Sequence, residues 1–177
     1  MKKILLVIAF VVVSATATFA QQLAYADSEY ILKHIPEYTT AQKQLDDLSK
    51  QWQEEVDQKY AEIEKLYQAY QKDQVLLNED MRRRREDEIV TREKEVKDYQ
   101  KQKFGFEGDL FKRRTQLMKP IQDRVAKAIQ DVASAQGIDF IMDKGIESPF
   151  LYANPKLNKS NDVITKLGYK PNPSLAN

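Results

Sequence analysis

From Glu37 to Phe104 the chain contains neither glycine nor proline, while it is dense in Gln, Lys, Glu, Leu and Ala. No other feature constrains the fold as strongly, because a run of this composition has nothing to stop it propagating as helix. All 5 glycines lie at or after Gly105, and no proline falls between Pro36 and Pro120. Ala41, Leu45, Leu48, Trp52, Val56, Tyr60, Ile63, Tyr67 and Tyr70 recur in steps of three or four, about 3.6 residues per step. That spacing is one apolar stripe along an α-helix, with Gln, Lys, Asp and Glu on the other faces.

A single helix over the whole run would be about 100 Å long. The one candidate break is Val75-Leu76-Leu77-Asn78-Glu79-Asp80. There Asn78 can cap a new helix, and Glu79 and Asp80 favour its positive end. Between Met81 and Lys103 apolar residues are sparse, and local support is expected from the pairs Glu79–Arg83, Asp80–Arg84, Arg82–Glu86, Arg83–Asp87 and Arg84–Glu88. The stripe returns with Leu110, Leu117, Ile121, Val125, Ala128 and Val132 and stops at Gly137, a C′ glycine. A turn at Asn78 places Lys119 opposite Glu37 and brings Pro120 level with Pro36, which favours a hairpin that enters a body at that height. Phe104-Gly105-Phe106-Glu107-Gly108 interrupts the returning helix, either as a local distortion that lets a phenylalanine pack or as a hinge at Gly105 and Gly108.

The ends of the chain are β-prone. Leu23-Ala24-Tyr25-Ala26, the alternating Ile138, Phe140 and Met142, and Phe150-Leu151-Tyr152 predict three short strands. Gly145 and Ser148-Pro149 supply turns, and Ser160 is expected to cap a short helix ending at Leu167-Gly168. The fold class is therefore α+β: a small β body built by residues 21–35 and 120–169, a helical hairpin arm at 36–119, and a disordered tail at 170–177. A sheet this small seldom stands alone, so the body is expected to self-associate through Leu23, Tyr25, Ile138, Phe140, Met142, Leu151 and Tyr152.

Met1–Ala20 has the pattern of a signal peptide: Lys2 and Lys3, an apolar run Ile4–Val13, then small residues at Thr18 and Ala20. Cleavage is expected after Ala20, and the run is too short for a stable membrane anchor. Removing Lys2 and Lys3 leaves acidic residues one ahead of basic ones, since the whole chain has 28 Lys and Arg against 27 Asp and Glu. Such balance argues against nucleic acid as a partner. With no cysteine and the single His34, disulfides, thiolate sites and multi-histidine metal centres are excluded, and no cofactor or catalytic constellation is expected. His34 itself reads as a surface or junction residue.

In order and spacing these segments resemble the Skp/OmpH-like periplasmic chaperones of Gram-negative envelopes. The resemblance spans the mature chain. It rests on the opening Ala24-Tyr25-Ala26-Asp27-Ser28, Ile35-Pro36 before the charged hairpin, Pro120-Ile121-Gln122, Val132 through Asp143, Leu151-Tyr152-Ala153, and the closing Asp162-Val163-Ile164 with Leu167. It implies a homotrimer whose arms enclose a cavity and hold unfolded outer-membrane proteins without ATP, in the periplasm. The usual Asp-Leu/Ile-Thr before the last helix reads Asn158-Lys159-Ser160 here, and the basic character of better-known members is missing. Contacts with lipopolysaccharide or anionic lipid are therefore not carried over. The arginines Arg82–Arg85 sit among Glu79, Asp80, Glu86, Asp87 and Glu88 and read as a solvated face. By their periodicity Tyr60, Tyr67 and Tyr70 read as hairpin seam, with cavity-facing client contact as the alternative. The candidate client contacts are Leu66, Tyr70, Val75, Leu76, Leu77 and Met81. The competing reading is a structural coiled-coil or adaptor protein of the envelope, which shares the stripe and needs no client.

Overall fold

The computed structural model describes residues 22–145 and 151–175. The expected signal peptide and Phe150 lie outside the described residues. In chain order the elements are β1 (Leu23–Ala26), α1 (Ser28–Lys33), α2 (Pro36–Asp73), α3 (Glu79–Phe104), α4 (Asp109–Gln136), β2 (Phe140–Asp143), a 3-10 turn at Pro155–Leu157, α5 (Ser160–Lys166) and a second 3-10 turn at Pro173–Leu175. The chain is α+β, with a small sheet and a long helical hairpin.

The hairpin turns where the cap chemistry lies. α2 ends at Asp73, and the Asn78 side chain accepts the Met81 N–H at 2.9 Å to start α3, with Glu79 and Asp80 in its first turn. At the other end, Pro36 opens α2 behind the extended Ile35, a position where its missing N–H costs nothing. α3 stops at Phe104 because the chain must then pass very close to its own last turn. A Cβ on Gly105 would lie 2.3 Å from the Lys101 carbonyl oxygen, and one on Gly108 would lie 2.8 Å from that of Gln102. Glu107 adopts a left-handed φ of 54° between them.

That interruption resets the hairpin register. Tyr70 meets Glu86 and Trp52 meets Phe104, each pair symmetric about Asn78. Continued, the count would bring Glu37 to Lys119, as expected from sequence. Glu37 instead binds Arg124 at 3.0 Å, because Gly105–Gly108 uses up residues with little advance along the arm. Pro36 and Pro120 still line one cavity at the root of the arm. Pro120 lies inside α4, which runs unbroken past it to Gly137, a left-handed C′ glycine with φ 66°.

Two separate apolar clusters result. In the body, Ala26, Tyr30, Ile31, Ile35, Ala41, Leu45, Met118, Ile121, Val125, Ala128, Val132, Val163 and Ile164 are buried together. In the arm, Val56, Ile63, Ile89 and Val96 form the second cluster, flanked by Leu66, Tyr70, Tyr99 and Phe104.

Several expectations are corrected. The sheet has two strands among the described residues, not three: β1 and β2 run parallel with Leu23 opposite Phe140 and Ala26 opposite Asp143. Leu151 and Tyr152 are fully exposed and outside any strand; the other side of β1 is taken by Asn158, which bridges Tyr25. Ser160 does not cap its own helix, because its hydroxyl accepts the Asp27 N–H at 2.8 Å and donates to Asn158 at 2.6 Å. The tail is not disordered through Leu175: Asn172 N–H binds His34 Nε2 at 2.8 Å, and Leu175 packs against the body cluster. This buries His34 where the tail meets the root of the arm, so of the two positions expected for it, surface or junction, it takes the junction. The five expected ion pairs of α3 do not form; Arg85–Glu88, Arg92–Glu95 and Lys97–Glu93 take their place, and Arg82 Nε donates to the Leu77 carbonyl.

Candidate functional site

The two helices of the arm touch along a seam one side chain deep. Ile63, Leu66 and Tyr70 of α2 face Ile89 and Val96 of α3. Residues one position before a seam residue, namely Glu62, Lys65, Glu88 and Glu95, share one side of the hairpin, since the helices are antiparallel and both turn right-handed. With Lys59, Arg92 and Tyr99 they line a groove of about 490 Å³. Its rim carries Lys59, Lys65 and Arg92 against Glu62, Glu88 and Glu95, so the two signs balance. Residues one position after a seam residue share the opposite side: Glu64, Tyr67, Val90 and Lys97. Tyr60 lies on that side too, three residues before Ile63. Tyr60, Tyr67 and Val90 are exposed, Val90 to 64%. One side of the arm is thus charge-laced throughout, and the other sets Tyr60, Tyr67 and Val90 between Glu64 and Lys97.

At the tip, Val75 and Leu76 are more than four-fifths exposed, and Met81 is exposed beside them. Leu77 is half-buried, lining a small cavity with Leu66, Tyr70 and Ile89. Of the residues singled out from sequence, Val75, Leu76 and Met81 stand free on the surface, whereas Leu66, Tyr70 and Leu77 are in or against the seam. Phe106, on the Gly105–Gly108 loop, is 96% exposed, and Phe111 is exposed just beyond it. Sequence reasoning passed over Val90 and Phe111. Val90 was legible as the neighbour of Ile89 once the seam was located. The seam itself follows 63, 66 and 70 rather than 63, 67 and 70, which decides which tyrosine is free.

The elbow at the loop is braced by charge and ring contacts. Lys103 Nζ lies 2.6 Å from Asp109 Oδ2, across the loop, and 4.6 Å from the centre of the Trp52 ring, against whose face Phe104 packs edge-on. Tyr99 donates its hydroxyl to Glu55, and Tyr70 to Glu86. The hydrogen bond from Tyr99 holds Glu55 below the usual carboxylate range, and the same bond pushes the Tyr99 phenol up to about 12. Both bonds cross from one helix to the other, so these pairs are clasps between α2 and α3.

On the body, Leu23, Phe140, Met142, Leu151, Tyr152 and Leu157 are exposed, Ile138 is half-buried, and Tyr25 is buried beneath them. Among the described residues no group of three His, Asp or Glu side chains is placed to hold a metal ion. No helix among them is long and apolar enough to cross a membrane.

The profile of the family "Outer membrane protein (OmpH-like)" matches residues 22–167, the hairpin and body together. The chain belongs to the OmpH-like family. Its fold is shared with a Caulobacter crescentus protein described as an outer membrane chaperone (OmpH-like), with a TM-score of 0.66 over 85% of this chain and 86% of that one at 11% identity. No curated protein matches the chain. At that identity the likeness speaks for the fold, and the surface residues of this OmpH-like chain must be argued from its own structure.

Proposed function

We propose that this OmpH-like protein is an ATP-independent holdase that binds unfolded outer-membrane proteins between helical arms and keeps them from aggregating. The observation that carries the reading is the two-sidedness of the arm. An exposed line of Tyr60, Tyr67 and Val90 runs along one side of a hairpin whose other side is a groove of balanced charge, and Val75 and Leu76 stand exposed at the tip. Unfolded barrel chains expose alternating apolar residues and unpaired strand edges, and both suit a shallow apolar strip bordered by hydrogen-bonding side chains. Each contact is small and breaks easily; several arms together hold by multivalency, so release needs no nucleotide.

Several arms require several chains. The exposed Leu23, Phe140, Met142, Leu151 and Tyr152 support self-association of the body, and a trimer is the expected assembly. The expected working place is the periplasm, after cleavage behind Ala20. The test is dilution of a urea-unfolded outer-membrane barrel into buffer with and without the protein. Suppressed light scattering without nucleotide is expected, and a Tyr67→Ser/Val90→Ser variant should lose most of it while keeping its helical content. If the protein leaves scattering unchanged, the holdase reading fails and the structural adaptor reading takes its place.

A further inference from the structure

The last residues of the described chain form a band across the foot of the arm. After α5, Gly168 takes a left-handed φ of 88°, and Tyr169 N–H returns to the Ile164 carbonyl at 3.0 Å, which turns the chain back over the body. Tyr169, Pro171 and Leu175 are half-buried along this band. At its near end the Tyr169 hydroxyl donates to Glu37 Oε2 at 3.1 Å, Arg124 Nη1 donates to Glu37 Oε1 at 3.0 Å, and Arg124 Nη2 approaches the Tyr169 oxygen at 3.3 Å. At its far end Asn172 N–H donates to His34 Nε2 at 2.8 Å. His34 Nδ1 lies 2.7 Å from the Tyr30 carbonyl. An N–H can only donate and a carbonyl can only accept, so the imidazole is neutral with its proton on Nδ1. The Tyr30 ring packs edge-on at 4.5 Å and fixes the imidazole plane.

The groups so clasped are those from which the arm springs. Glu37 is the second residue of α2, and Arg124 is one turn beyond Pro120 in α4. α4 carries a weak point here, because Pro120 inside it cannot donate its hydrogen bond, and α2 begins at the same level, at Pro36. Between them lies an unfilled groove of about 450 Å³. Ala41, Leu45, Met118 and Ile121 pack the two helices against the body here, and Pro120 leaves α4 able to kink at the groove unless something crosses it.

We propose that Tyr169–Leu175 is an intramolecular strap that locks this joint, clasped by Glu37, Arg124 and Tyr169 at one end and by His34 and Asn172 at the other, so that releasing it lets the arm swing about its root. The strap works at the foot of the arm, a hairpin's half-length away from the Gly105–Gly108 elbow, and its action does not depend on what the arm holds.

Because the chain has no native cysteine, paired spin labels at Gln74→Cys and Ala126→Cys report the angle between arm and body without background. The labelled chain is diluted into unlabelled protein so that distances arise within one chain. His34→Phe keeps a ring against Tyr30 and deletes both hydrogen bonds. It should raise amide exchange over 170–175 about tenfold and broaden the distance distribution. His34→Gln, which restores an acceptor at the Nε2 position, should recover most of both. Should His34→Phe fail to fold, Tyr169→Phe, which deletes one hydroxyl, gives the same readout. Unchanged exchange over 170–175 overturns the clasp. A freed tail with an unchanged distance distribution overturns its hold on the arm.

Discussion

Ile89→Ala tests whether arm and body are separate stability units. Ile89 is 8% exposed and sits in a cluster with Val56, Ile63 and Val96, none of which belongs to the body cluster. The substitution removes three carbon atoms. At about 0.8 kcal/mol per buried carbon the transfer loss is about 2.4 kcal/mol. The added cavity penalty is small, because the seam is one side chain deep and opens on one side into the groove, so neighbours can close in. An opening free energy lower by that amount speeds amide exchange roughly 50-fold in the arm. Hydrogen exchange read by mass spectrometry over peptides from 56–70 and 86–99 should show this change, while peptides covering Ile31 and Val163 stay unchanged. Ile164→Ala, at a site with 0% exposure in the body, is the converse, and there protection should fall in the body first. If Ile89→Ala weakens protection around Ile31 and Val163 as much as in the arm, the two clusters unfold as one and the argument is wrong.

Acid should act on the strap's near clasp in a defined window. The hydrogen bond from Arg124 holds the Glu37 carboxyl down to about 2 from an ordinary 4.5. A depressed carboxylate contributes stability that is complete above its unfolded value and is lost as pH falls from about 4.5 through about 2. Carboxyl carbon shifts followed by NMR should therefore show Glu37 titrating near about 2, and Arg124→Gln should move it up toward the ordinary 4.5. The two glycines Gly105 and Gly137 should respond differently to alanine. At Gly137 nothing lies within 4 Å of a new Cβ, so only the left-handed φ opposes it, at about 1–2 kcal/mol. At Gly105 the new Cβ would collide with the Lys101 carbonyl oxygen, so the elbow itself must rearrange. Spin-label distances from Gln74 to Ala126 should change for Gly105→Ala and stay fixed for Gly137→Ala.

What could be read in the sequence was whatever depends on local chemistry. Asn78 followed by two acids is a cap signal whose partner lies three residues away, and the structure uses it so. The glycine pair at 105 and 108 marked the break for the same reason. What could not be read depends on partners distant in the chain. Leu151-Tyr152 is β-prone, yet whether these residues join the sheet depends on what else reaches Tyr25, and Asn158 takes that place. The tail has the proline content of a disordered segment, and its order comes from partners far back in the chain: His34 for Asn172, and the body cluster for Leu175. The free and seam-bound tyrosines differ by one helical position, set by how α3 lies against α2. Periodicity gives the width of a stripe and leaves its edges open.

The charge on α3 completes the account of the arm. Arginine and glutamate fill this helix, yet the ion pairs that form are exposed, where each contributes at most about 1 kcal/mol. The four-residue cluster in the seam and the tyrosine clasps to Glu55 and Glu86 hold the two helices together. Toward the tip, beyond Ile63 and Ile89, buried aliphatic side chains run out while exposed ones accumulate at Val75, Leu76 and Met81. Local stability must therefore fall from root to tip. The proposed holdase role would draw on this gradient: the tip can yield to each unfolded segment, while the body cluster keeps the foot of the arm in place.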